Sequence, residues 1–154
     1  MIFGGGFWRL ESETAREAAQ RAIMHVQHEM ENLVLHEHEW HTALCDRGIP
    51  DGLAYWPKDD ASFWQAIGMT RDEAYARYYS VIHLRTPAEE QGYNHQNPLR
   101  TETAVQAAEI DKKIHKVWSD HPHYHTVDAS PEFLTKTQET LDYILHDLQQ
   151  HEAA

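Results

Sequence analysis

The chain has 154 residues, 41% of them hydrophobic and 25% charged, the make-up of an ordinary globular domain long enough to bury a core. Its formal net charge of −12, with only 13 Lys and Arg spread along the sequence, repels nucleic-acid phosphates and excludes a general nucleic-acid binder. No apolar run is long enough to span a bilayer, residues 1–10 lack a signal peptide's pattern, and the single Cys45 excludes an internal disulfide; the expected compartment is the reducing cytoplasm.

In chain order, residues 1–9 are irregular, with Gly4, Gly5 and Gly6 in a row. A long helix is expected next. Thr14 and Glu17 have capping-box form, and Ala19, Ala22, Ile23, Val26, Met30, Leu33 and Val34 recur at helical spacing as an inner face. Glu13, Arg16, Glu17, Arg21, His28 and Glu31 fall on the opposite, solvated face. Residues 41–46 read as a short buried strand running into an Asp-Arg-Gly loop. Two short helices come after it, the first opened by Ser62 and Gln65, the second by Thr70 and Glu73.

Residues 79–84 form the second expected strand, and the polar stretch 86–98 an exposed loop. Thr103 and Gln106 cap a helix whose apolar positions are Ala104, Ala107, Ile110, Ile114, Val117 and Trp118. A third strand is expected over 124–128. Ser130 as cap and Pro131 at the first helical position open a last helix lined by Leu134, Leu141, Ile144, Leu145 and Leu148. Strands separated by helices imply an α/β domain with a parallel sheet, taken as a single domain over residues 1–154.

Four groups of residues could carry chemistry. Cys45-Asp46-Arg47-Gly48 lies at the end of an expected strand, where open parallel sheets bind ligands. There an Asp can place Mg²⁺ and an Arg can fork onto phosphate oxygens, although the same tetrapeptide also reads as a plain turn. The segment between Arg85 and Arg100 suits closure over a triphosphate, or reads as a solvated loop. Histidine and carboxylate are dense at Glu29, Glu31, His36, Glu37, His38 and His41, and again at His121, His123 and His125. These suit Zn²⁺ by chemistry but show no metal-ligand motif, and surface histidines are the alternative. Gly4-Gly5-Gly6 permits close approach to phosphate, yet no Gly-Lys-Ser or Gly-Lys-Thr occurs anywhere in the 154 residues. The aromatic residues Trp40, Tyr55, Trp56, Phe63, Trp64, Tyr75, Tyr78 and Tyr79 read as packing groups.

Taken in order, Phe3-Gly4-Gly5-Gly6-Phe7, Ala19-Gln20-Arg21-Ala22-Ile23, Cys45-Asp46-Arg47-Gly48, Ile82-His83-Leu84-Arg85-Thr86-Pro87, Asn97-Pro98-Leu99-Arg100-Thr101 and the Trp118 to Pro122 segment resemble the small bacterial AAA-type P-loop ATPases. That group is similar in layout to thymidylate and deoxynucleoside kinases. The resemblance implies a three-layer α/β/α fold that binds ATP with Mg²⁺. It assigns catalytic roles to Asp46, Arg47 and Arg100, nucleotide contacts to Arg85, Arg100, Gly4, Gly5, Gly6 and Arg9, and the metal to Asp46. The partners it implies are a nucleotide and a phosphate acceptor of unknown identity, with no nucleic acid and no membrane.

Family members open with a strand, a Walker A loop, a helix and a second strand, and the sequence here corresponds to the remainder of such a domain, beyond that second strand. The expectation is therefore an incomplete P-loop domain, a fragment with weak or no ATP binding of its own, whose unpaired strands could self-associate. A non-catalytic interaction module on the same scaffold and a histidine-rich metal-binding protein are the alternatives. The nucleotide reading requires Asp46 and Arg85 to emerge along one common rim of the sheet.

Overall fold

A computed structural model describes residues 10–37, 42–86, 104–130 and 132–152. Gly4, Gly5, Gly6, Arg9 and Arg100 lie outside the described residues, as do His38, Trp40, His41, Thr103, Pro131 and most of the expected 86–98 loop. The chain divides into two compact units, Met1–Tyr78 and Tyr79–Ala154.

The first unit begins with helix α1, Glu13–His36. Its cap is Ser12, whose hydroxyl accepts from the Ala15 N–H at 3.1 Å, and not the expected Thr14 pair. The buried face also differs. Gln20, Met24 and Glu31 are buried, while Val26, Met30 and Leu33 are 57%, 65% and 58% exposed. The reason is a rotation of about one residue around the helix: positions 20, 24, 27 and 31 form their own helical stripe, and Met24 on it inserts into the core.

Residues 42–45 are irregular and 46–47 form a bend, so the strand expected over 41–46 is not present among its described residues. Leu44 is 76% exposed. A strand needs a ladder partner for its amides, and the two strands among the described residues pair with each other. Instead the chain tightens at once into a 3₁₀ helix, Ile49–Tyr55, with Pro50 in its first turn and the Asp51 carboxylate accepting from the Gly48 N–H at 3.1 Å. Gly52 is needed there, because a Cβ would meet Met24 Sδ at 2.6 Å and Phe63 Cε2 at 3.0 Å.

Helix α2, Asp60–Ile67, is capped by Asp59 and ends at Gly68 with φ of 68°, a left-handed conformation that glycine adopts without strain. Ser62, expected as its cap, lies inside it and accepts from the Trp56 indole N–H at 2.9 Å. Helix α3, Arg71–Tyr75, has the expected capping box of Thr70 and Glu73. Met24, Ile49, Trp56 and Phe63 form the core of this unit, with Phe63 fully buried and edge-on to Trp56 at 5.5 Å. Burying such a ring contributes about 2–3 kcal/mol.

The second unit is α/β. Strand β1, Val81–Leu84, pairs in parallel with β2, Tyr124–Val127, in the register Val81 to Tyr124 and Leu84 to Val127. Helix α4, Ala104–Trp118, connects them, and α5, Phe133–Glu152, comes after β2. Alternating side chains serve opposite faces of this pair. His83 and Tyr124 reach Asp111 and His115 of α4, whereas Ser80 and His125 reach Asp147 of α5. The result is a short two-stranded parallel sheet between helices.

Helix α5 departs from its expected lining: Leu134, Leu141 and Leu145 are exposed and Asp147 is buried, because the strand face beside α5 offers a hydroxyl and an imidazole to a carboxylate. No described helix is long and apolar enough to cross a membrane.

Candidate functional site

Arg85 leaves the carboxyl end of β1, where its N–H donates to the Val127 carbonyl at 2.9 Å and extends the ladder by one step. Its side chain turns onto α4. Nε of Arg85 donates to Asp111 Oδ2 at 2.8 Å, and about a third of the Arg85 side chain (34%) remains exposed. The other carboxylate oxygen, Oδ1, accepts from the Thr86 N–H at 2.9 Å and pairs with His83 Nε2 at 3.1 Å. Lys136 of α5 donates from Nζ to the Arg85 carbonyl at 2.7 Å.

Two cations therefore flank one buried carboxylate at the strand end. Burial raises the Asp111 carboxyl, but the Thr86 N–H, the Arg85 guanidinium and His83 outweigh it and hold it below the ordinary carboxylate range. Burial pulls the Lys136 ammonium below its usual range, with the Asp111 charge offsetting part of that. Burial also lowers His83, against the opposing pull of Asp111. A neighbourhood of Arg85, Lys136 and Asp111 carries a net positive charge, which suits an anion such as phosphate.

The other expected site, at Asp46 and Arg47, belongs to the first unit. Both side chains are exposed, on a bend and not at a strand end, so Asp46 does not stand on the sheet rim expected to carry it together with Arg85. Their backbone is fixed from beneath. Gln27 Nε2 donates to the Arg47 carbonyl at 2.7 Å and to Glu31 Oε1 at 2.9 Å. The Tyr78 hydroxyl accepts from the Ile49 N–H at 2.7 Å and donates to Glu31 Oε1 at 2.6 Å; burial, and then Glu31, push its ionisation up. Arg77 closes the network through Nε on Glu31 Oε2 at 2.7 Å and Nη2 on Asn32 Oδ1 at 3.0 Å. A rigid base presents a solvent-facing carboxylate and guanidinium.

Among the described residues, His123 and His125 are otherwise engaged. His125 stacks on Tyr143 and pairs with Asp147, His123 stacks on Tyr79, and Glu31 is committed to Arg77 and Tyr78. Among the described residues no group of three or more His, Cys, Asp or Glu side chains converges as a metal site.

Asp111, His83, Lys136 and Gln27 were not among the expected site residues, and Glu31 was expected only in a histidine–carboxylate group. One signal could have found Asp111: with Ala107, Ile114 and Trp118 it completes a helical stripe at spacings of four, three and four. A carboxylate on an apolar stripe has to be paired.

In open parallel α/β sheets ligands bind beyond the carboxyl ends of the strands, which is where Arg85 stands. A family model described as an AAA domain matches residues 5–133. The chain belongs to this AAA-type P-loop family. No curated protein and no solved structure matches it.

Proposed function

We propose that the chain serves a P-loop NTPase of ATPase or small-molecule kinase type, supplying the part of the nucleotide site that lies outside the phosphate cradle. The observation that carries this reading is the anchored Arg85, with Lys136 beside it, at the carboxyl end of β1. In a phosphoryl-transfer site the protein's main work is positioning and neutralising charge, and a guanidinium held by one edge keeps its other N–H groups for phosphate oxygens. Arg47, exposed on a braced bend of the first unit, is proposed as a phosphate contact on the strength of the family. Asp46, an exposed carboxylate, fits the outer coordination of Mg²⁺; bound there, the ion would offset phosphate charge. Arg100, Arg9, Gly4, Gly5 and Gly6 are proposed as further nucleotide contacts on the strength of the family.

No Gly-Lys-Ser or Gly-Lys-Thr lies within the 154 residues, so the proposed grip on nucleotide by these residues alone is weak. Titration of the chain with Mg·ATP, monitored by NMR, tests the reading. Saturable, low-affinity shifts at Arg85 that excess sulfate competes away support it. Shifts that never involve Arg85, or their complete absence, overturn it.

A further inference from the structure

Four side chains form a continuous hydrogen-bonded line from solvent to the Arg85 anchor. His115, exposed on α4, has Nδ1 at 2.9 Å from the Tyr124 hydroxyl; that hydroxyl is 2.7 Å from His83 Nδ1; and His83 Nε2 is 3.1 Å from Asp111. We infer that Asp111 is a positioning residue that fixes the Arg85 guanidinium, and that the His115–Tyr124–His83 line delivers the proton that releases it. The functional value of the release rests on the reading of Arg85 as a phosphate-facing group.

The donor directions are set by chemistry. Asp111 is a carboxylate and only accepts, so His83 must carry its proton on Nε2 and donate. Burial keeps His83 neutral near pH 7, leaving Nδ1 a lone pair. Tyr124 then donates to His83 Nδ1, and its oxygen accepts from His115 Nδ1–H. Only this orientation satisfies all three contacts with both imidazoles neutral.

Acidification reverses the line with a net gain of one proton, taken from solvent. A solvent proton binds His115 at Nε2, the His115 Nδ1 proton passes to the Tyr124 oxygen, and the Tyr124 proton passes to His83 Nδ1. His115 is left neutral with its proton on Nε2, and His83 becomes a cation. The groups facing that cation are Asp111 and His115 from α4, Tyr124 from β2 and Arg85 at the end of β1, with Lys136 of α5 on the Arg85 carbonyl. Three cations then surround the single carboxylate. The His83 side chain is 8% exposed and that of Arg85 34%, so Arg85 is the one displaced.

The test is NMR on the full chain, reading the Arg85 Nε–H and the ring nitrogens of His83 and His115. At neutral pH the expected tautomers are Nε2–H for His83 and Nδ1–H for His115, with a slowly exchanging Arg85 Nε–H. On acidification that proton should exchange faster in step with His83 protonation. Asp111→Asn should speed the exchange about tenfold at neutral pH, since a hydrogen bond to a charged group is removed. Tyr124→Phe should leave Arg85 anchored at neutral pH but abolish the His115 tautomer preference.

A His83 with Nδ1–H at neutral pH, or Arg85 exchange that ignores His83 titration, overturns the inference; both are read on the unaltered chain, so a variant that fails to fold does not obscure the result. Mg·ATP titration separates the two ideas. If no nucleotide shifts occur while the tautomers and the coupled exchange are as stated, the nucleotide reading fails and the positioning role stands.

Discussion

The side-chain amide of Gln27, on α1, donates to the backbone carbonyl of Arg47, twenty residues further along, at 2.7 Å. The same amide donates to Glu31, which in turn engages Arg77 and Tyr78. A helix side chain thus ties an exposed bend to a buried charge network. Replacing Gln27 by Ala should lower the stability of the fold by about 1 kcal/mol, the net worth of an ordinary hydrogen bond. Amide hydrogen exchange over residues 46–49 should rise more than elsewhere, and exchange unchanged there would show that the bend is held by other means.

Glu31 is the centre of that network, with its side chain 7% exposed and that of Arg77 15% exposed. Glu31→Gln removes the charge while keeping the size, leaving Arg77 partly desolvated and unpaired. The expected loss is about 3 kcal/mol, the scale for breaking a buried pair. Urea unfolding at neutral pH measures it, and a loss below about 1 kcal/mol would place the pair among weak surface bridges.

Gly52 sits where α1 and α2 side chains close on the 3₁₀ helix. Gly52→Ala puts a methyl group against Met24 Sδ at 2.6 Å and the Phe63 ring at 3.0 Å. Met24 can swing its sulfur away, whereas the fully buried Phe63 ring cannot move freely. Overpacking of this kind costs about 1–3 kcal/mol, and calorimetry should show a lowered Tm. In a Met24→Ala background the additional loss caused by Gly52→Ala should be smaller.

Acid sensitivity arises from His83 and Asp111. The folded His83 is below its ordinary value of 6.5, so the unfolded chain binds a proton that the folded chain resists. Its contribution is complete above pH 6.5 and declines as pH falls through the folded value. Asp111 lies below its ordinary 3.8, and its contribution is lost as pH falls from there through the folded value. Two successive declines in stability are expected on acidification. His83→Gln should flatten the first and leave the second, and denaturant midpoints across the pH range measure both.

Much of the second unit is legible in the sequence, and rather less of the first. The strands near 79–84 and 124–128 stand at Val81–Leu84 and Tyr124–Val127, because aromatic and β-branched residues between polar breaks leave little else for them to form. Thr70 with Glu73 caps α3 because the motif is satisfied within four residues. Wherever partners distant in sequence decide the outcome, local pattern falls short. Val26, Met30 and Leu33 make a more apolar stripe than Met24 does with Gln20, Gln27 and Glu31, and only the packing of Met24 against Ile49 and Phe63 selects the latter. Residues 41–46 have a strand's composition, but pairing needs a neighbouring strand and cannot be read from the segment itself. Arg85 is visible as a strand-end arginine, whereas Asp111, its anchor, is 26 residues away.

Arg85, held by Asp111 at the end of β1, is the group on which the nucleotide reading turns, because it is the cation proposed to face phosphate. An NMR titration of the chain with Mg·ATP, monitoring the Arg85 guanidinium, tests this most directly. Weak, saturable shifts are expected there, competed away by excess sulfate. Strong binding that leaves the Arg85 resonances unmoved, or a guanidinium that ignores every phosphate added, would contradict the proposal.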